Sequence, residues 1–266
     1  MVSEHTAGAG TTSSAAGRRP AIAREIASGC VCRDARRLLR PCPPGDGGPV
    51  YCHGAVIRRG RIQVQIDPQT LDSTAVYKLL ISSVVPRPIA WVSSLDTAGV
   101  GNLAPFSYFM AITAEPPTIA FACSPREGAK KDTLRNVEAA GEFVVNVVDD
   151  ERAEQMNLSS GDYAPDVDEF VLTGLTAAPS VKVKPPRVAE APISMECTVG
   201  RILPVGKAHL VLGEIVQWHV RDDIYDAATG RLDMHRLRPV GRLTGNLYSH
   251  IHQIFEMKRP SASYRG

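Results

Sequence analysis

A proline inside an apolar strand restricts what can lie beside it, and Pro105 occupies such a place in Asn102-Leu-Ala-Pro-Phe-Ser-Tyr-Phe109. It has no amide proton to give to a ladder, so the strand that carries it belongs at a sheet edge or a bulge. The backbone groups around it are then free to bond something else. Upstream, Val85-Pro-Arg-Pro-Ile-Ala-Trp-Val-Ser-Ser94 is an apolar run of strand length fenced by Pro86 and Pro88. Asp96 and Gly99 to Gly101 supply turn chemistry between the two runs. The whole predicts a β-hairpin whose second arm is broken. A flat ligand read by main-chain groups suits such an edge, although an ordinary edge strand with a bulge has the same pattern.

Around this hairpin the chain alternates short strands and few helices. Arg61–Ile66 predicts a first strand, and Asp72–Ile81 a short amphipathic helix capped at its start. Thr118–Cys123 predicts a buried strand after the break at Glu115-Pro-Pro117. A helix is expected over Thr133–Ala140, capped by Asp132 or Thr133 and ended by Gly141. Glu142–Val148 predicts a strand, and Asp150–Leu158 a helix contacting the core through Met156 and Leu158. Residues 159–192 predict a covering loop with a short strand near Ser180–Lys184. Ile193–Leu203 and His209–Val220 are long strands joined by the hairpin-sized Pro204-Val-Gly-Lys207, so they should pair antiparallel. Leu232–Leu237 predicts a short helix, and Asn246–Tyr248 with Ile254–Met257 a closing strand. Turns this short leave no room for crossover helices between most strand pairs. The pattern is mainly β, an antiparallel barrel with a few short flanking helices rather than a doubly wound parallel sheet.

Charge is distributed unevenly. Residues 1–60 carry nine arginines, no lysine and four acids, a balance of +5, whereas residues 61–266 carry 21 basic and 24 acidic side chains, a balance of −3. A mildly acidic main body gives no electrostatic footprint for nucleic acid. No apolar run reaches the roughly 18 residues of a membrane span, and Met1–Ala16 is small and polar where a secretory signal would carry an apolar core. Cys123 and Cys197 lie singly in apolar strands, as core residues of a reducing compartment do, so a cytoplasmic location is expected. The first 60 residues, rich in Gly, Ala, Ser, Pro and Arg, are expected to form a disordered extension. Their switch to mixed Lys and Arg usage near residue 60 suggests a start of translation downstream. Cys30, Cys32, Cys42 and Cys52 beside His53 lack the paired Cys-x-x-Cys knuckles of a zinc site. Residues 61–266 then form the functional domain.

Three features could carry chemistry. Ser124-Pro-Arg-Glu-Gly-Ala-Lys-Lys-Asp-Thr133 runs into a helix start, where free amides, Arg126 and the Lys130-Lys131 pair would make an anion site. A solvated basic flank on an ordinary capped helix is the plainer reading. The broken edge from Asn102 to Ser107 is the second. The histidines His209, His219, His235, His250 and His252 are the third, and they show no metal-ligand spacing, so no metal is expected. Gly-x-Ser-x-Gly is absent, as is a Gly-x-Gly-x-x-Gly after a strand, which argues against a hydrolase elbow and a Rossmann unit.

Taken in order, Pro86–Ser94, the Asp96–Gly101 turn, Asn102–Phe109, Glu115-Pro-Pro117, Lys131-Asp-Thr-Leu-Arg-Asn136, Glu142-Phe-Val-Val-Asn146, Glu196-Cys197 and Leu210-Val-Leu-Gly-Glu214 resemble the flavin reductase-like family with its FMN-binding split barrel. The resemblance spans about Gln65 to Pro260. It implies a six-stranded Greek-key barrel, a homodimer with FMN near the subunit interface, and hydride transfer from NADH or NADPH to flavin. By the same resemblance Ser93, Ser94, Asn102, Leu103, Ala104 and Ser107 hold the ring and ribityl chain, largely through main chain. Ser124, Arg126, Lys131 and Thr133 take the phosphate end, and His209 lies on the nicotinamide side. Hydride transfer asks only that nicotinamide be stacked on flavin and water excluded, which fits the lack of an acid–base dyad. The reduced flavin would pass to an acceptor or a partner monooxygenase. A non-catalytic FMN-binding or electron-carrier module shares the fold, and a pyridoxamine-phosphate oxidase relative shares the barrel with a different phosphate loop.

Overall fold

The structure is a computed structural model that describes residues 64–260, together with two short strands, Tyr51–Cys52 and Ala55–Val56, which pair antiparallel with each other. The expected disordered extension and the four N-terminal cysteines otherwise lie outside the described residues. Numbering the helices and the strands of the main sheet and last hairpin in chain order gives α1 (Ser73–Ser83), β1 (Ala90–Leu95), β2 (Gly101–Phe106), β3 (Phe109–Ala114), β4 (Pro117–Cys123), α2 (Asp132–Ala140), β5 (Glu142–Val147), α3 (Ala153–Leu158), α4 (Glu169–Thr173), β6 (Ile193–Val205), β7 (Ala208–Val220), α5 (Met234–Leu237), β8 (Val240–Arg242) and β9 (Tyr248–His250).

Seven strands form one antiparallel sheet in the order β2-β1-β5-β6-β7-β4-β3. The first and last strands of that order are neighbours in sequence, joined by Ser107-Tyr108. The chain therefore leaves one edge of the curled sheet and enters the other. No ladder joins the two edges: across the seam the Phe106 ring of β2 packs 5.0 Å from the Phe121 ring of β4, the strand next to the edge, and the Ala122 amide of β4 donates to the corner carbonyl of Tyr108 at 2.8 Å. This is a barrel split along one seam.

Period-two alternation between two cores explains why β1 is buried from Ala90 to Ser94. Ala90 and Val92 enter the inner core with Phe121, Phe143 and Cys197, which Leu134 and Val137 of α2 close. Trp91 faces the opposite way, into an outer core with Leu103, Met156 of α3 and Phe170 of α4. The inner core is tight at Gly213 of β7, where a Cβ would overlap the Phe143 ring. Local signals act as expected at α1, where the Asp72 carboxylate accepts from the Ala75 amide at 2.8 Å, and at Gly141, whose φ of 71° ends α2 in the left-handed region.

Several expectations are corrected. Of the strand expected over Arg61–Ile66, residues 61–63 lie outside the described residues, and Val64–Ile66 belongs to no strand: among the described residues none pairs with it, and Val64 and Ile66 are exposed. The run to Phe109 is two strands, since the corner at Ser107 reverses it into β3, and the implied six strands are seven. Leu158 is exposed, whereas Met156 is buried. Ser180–Lys184 is a bend instead of a strand because its amides are taken by carboxylates: those of Val181, Lys182 and Val183 donate to Glu196, and that of Lys184 to Glu142. Ile254–Met257 adds no strand, and the last hairpin is made by β8 and β9 instead.

Candidate functional site

The site starts at α2. Its N-cap is Lys131, with φ −66° and ψ 153° and no side-chain cap bond. The caps expected from sequence have other tasks: Asp132 pairs with Arg135, and Thr133 is buried. A helix start without a capping oxygen leaves first-turn amides unpaired by the chain's own cap and carries partial positive charge.

Beside it opens a slot of about 430 Å³. One wall is the broken end of β2, with Pro105 and Phe106, and the corner residues Ser107 and Tyr108. Ser124, just past β4, and Lys131 form the other side. The slot therefore sits on the seam of the barrel. Tyr77 of α1, Met156 of α3 and Arg242 and Tyr248 of the last hairpin line it as well. Lys131 places its ammonium 5.4 Å from the centroid of the Phe106 ring, within cation–π range.

Of the residues named from sequence, Ser107, Ser124 and Lys131 come together in this slot. Three others, Ser94, Asn102 and Thr133, join Asn136 in a buried polar web, whose Asn102 and Asn136 line a second cavity with Asp96, Gly101 and Asp132. The Asn102 side-chain amide donates to Ser94 Oγ at 3.3 Å and Thr133 Oγ1 at 2.9 Å, and Asn136 donates to Ser94 Oγ at 3.2 Å. Ser93 Oγ donates to the Pro186 carbonyl at 2.6 Å. The web ties β1 and β2 to the first turn of α2, so the two walls hold a fixed spacing. Leu103 packs its side chain in the outer core, and its amide donates to Glu169 Oε2 at 3.0 Å. Ala104 packs against the inner core. Arg126 pairs with Asp162 and closes a tight turn with Ala129, away from the slot lining. His209 lines a separate groove with Pro125, Lys130 and Lys207, which shares the Ser124–Lys131 loop with the slot. Its Nδ1 is buried without a partner.

Arg87 is the residue that motif reading passed over. It is 5% exposed and lines the slot. A charge fixed between Pro86 and Pro88 at the head of an apolar strand was the available signal. Burial raises the Tyr108 hydroxyl pKa, and it pushes the Cys123 thiol up to about 11, so that cysteine is an inert core residue. Asp150, His250 and His252 bring possible cation ligands together across the fold. Arg238 Nη2 already meets that carboxylate at 2.9 Å, and His250 Nδ1 lies 2.6 Å from it.

Fold and slot define a split-barrel protein with a basic, aromatic-walled slot on its seam. Comparison with known proteins gives the family. The profile of the flavin reductase like domain matches residues 82–237, and the chain belongs to that family. An uncharacterised protein of Halalkalibacterium halodurans is 40% identical over 207 residues, 75% of this chain and 98% of its own. Nitrilotriacetate monooxygenase component B from Bacillus cereus superposes with a TM-score of 0.72 at 35% identity, over 74% of this chain and all of that one. The 2-nitrobenzoate 2-nitroreductase NbaA of Pseudomonas fluorescens gives a TM-score of 0.70 at 33% identity, over 75% and 98%. Among the described residues no helix is long and apolar enough to cross a membrane.

Proposed function

We propose that the chain is an NAD(P)H-dependent FMN oxidoreductase, and that its flavin occupies the seam slot. The observation that carries this is the convergence of the broken β2 edge and the Lys131 helix start on one cavity. FMN has a planar ring at one end and a dianionic phosphate at the other, and the slot offers a matching pair of ends. Pro105, Phe106, Ser107 and Tyr108 wall the ring end. The Lys131 ammonium, Ser124 and the amides at the start of α2 are the groups for the phosphate. Ser94, Asn102 and Thr133 serve by tying the β1–β2 hairpin to the start of α2, and Ser93 ties β1 to the Pro186 carbonyl of the covering loop.

When bound, flavin supplies the two-electron chemistry. The chain's own residues orient it, neutralise its phosphate and keep water from the reacting face. His209, the residue proposed for the nicotinamide side, lines a separate groove beyond the Ser124–Lys131 loop, so in this reading it would meet the donor nucleotide away from the reacting ring. Two solved relatives, a monooxygenase component and a nitroreductase, support an onward acceptor that is either a partner oxygenase or a reducible small molecule. A cytoplasmic homodimer completes the reading.

The test is anaerobic addition of NADH, then NADPH, to FMN-loaded protein. Loss of the oxidised flavin's visible band with either nucleotide is the expected result. An unchanged band with both leaves only a flavin carrier.

A further inference from the structure

Arg87 is a buried cation without a buried anion. Among the described residues no carboxylate lies within ion-pair distance of it. Its partners are neutral: Nη1 donates to the Ile81 and Val84 carbonyls at 2.6 and 2.8 Å, Nη2 to the Leu243 carbonyl at 2.7 Å, and Nε to Ser107 Oγ at 3.3 Å. Of the five N–H donors of a guanidinium, these four bonds leave one on Nη2 uncommitted among the described residues. Carbonyl dipoles, two of them at the C-terminal end of α1, satisfy the donors and fix the plane of the group, and the Tyr108 ring centroid lies 6.0 Å away, but among the described residues no anion compensates the charge. An uncompensated charge out of water is costly, and here it borders a ligand slot at the ring end, beside Ser107.

We propose that Arg87 sets the redox poise of the flavin in this slot, by favouring the reduced over the oxidised form. The inference rests on the reading that FMN occupies the slot. A hydride leaving nicotinamide C4 carries both electrons of its C–H bond to flavin N5. The nicotinamide becomes cationic, and the flavin gains one negative charge, spread over N1 and the adjacent C2 carbonyl. A fixed buried cation at the ring end stabilises that charge and gives nothing equivalent to the neutral oxidised ring. The carbonyl clamp holds the guanidinium in place beforehand, so no reorganisation opposes it.

The midpoint potential of bound FMN, read by equilibration with a reference dye, tests this in the wild type and in Arg87→Lys and Arg87→Met. Wild-type protein should bind reduced FMN at least tenfold more tightly than oxidised FMN, placing the bound potential about 30 mV or more above that of free FMN for a two-electron couple. Arg87→Met should lose that preference, and Arg87→Lys, which keeps the charge, should retain most of it. A bound potential unchanged in Arg87→Met overturns the inference while leaving the slot reading intact. Should Arg87→Met fail to fold, a wild-type potential equal to or below that of free FMN overturns it equally. Wild-type protein that takes up no FMN at all removes the slot reading, and the inference with it.

Discussion

The Lys131 ammonium stands 5.4 Å from the centroid of the Phe106 ring, joining the start of α2 to the end of β2. These residues are 25 positions apart in sequence and belong to the two features that the chain alone pointed to, a basic helix start and a proline-broken edge. Their meeting at one slot is what makes a site of them.

Asn146 of β5 is the knot that holds β1 to the covering loop. It is fully buried, donates to the Trp91 carbonyl and Ser93 Oγ at 3.1 and 3.3 Å, and accepts from the Val188 amide and Ser194 Oγ at 3.0 and 2.8 Å. Asn146→Leu leaves several of these groups unpaired, each at about 1–3 kcal/mol. Urea unfolding should show a loss of about 2–4 kcal/mol. A variant as stable as wild type would show that water or neighbours satisfy those groups instead.

Glu196 is fully buried and accepts from the amides of Val181, Lys182 and Val183, with His219 Nε2 2.6 Å away. Burial raises its pKa, but the hydrogen bonds outweigh burial and hold the carboxyl below the ordinary glutamate range. A depressed folded-state value contributes stability above the unfolded value of about 4.3, and that stability is lost as pH falls through the folded value. Wild-type unfolding free energy should therefore fall steeply below about pH 4, and Glu196→Gln should flatten that slope. Superimposable acid limbs in the two proteins would contradict this role.

Gly213 lies where any side chain would meet the Phe143 ring, itself fully buried and edge-on to Phe121 with centroids 5.4 Å apart. Gly213→Ala must displace that ring, at about 1–3 kcal/mol. Calorimetry should show a lowered melting temperature, and the double variant Gly213→Ala with Phe143→Leu should recover part of it. No recovery would place the strain elsewhere.

Most of the barrel could be read from strand-length apolar runs and turn residues, because β6 and β7 pair through a short turn and β1 sits in a strong apolar stretch. The corner at Ser107-Tyr108 was hidden, since apolar character continues through it and only the pairing with β4 shows the reversal. The bend at Ser180–Lys184 was equally hidden because Glu196, which organises it, acts from 13 to 15 residues away. Ser107, Ser124 and Lys131, named from motif and local chemistry, share the lining of the slot. Arg87 could not be picked out from sequence, because its meaning depends on having no anionic neighbour among the described residues, a property of space rather than of sequence. That Ser94, Asn102 and Thr133 bond one another, and that Ser93 turns away to the Pro186 carbonyl, needed the fold.

The most direct measurement is a titration of FMN into the wild-type chain and Lys131→Ala, followed by quenching of flavin fluorescence. Loss of one charge-assisted contact to the phosphate should weaken binding by about tenfold to a hundredfold, equivalent to about 1.5–3 kcal/mol, with riboflavin binding, which has no phosphate, unchanged. Equal FMN affinity in the two proteins would contradict the account, because the phosphate would then lie away from the helix start that the seam slot is built upon.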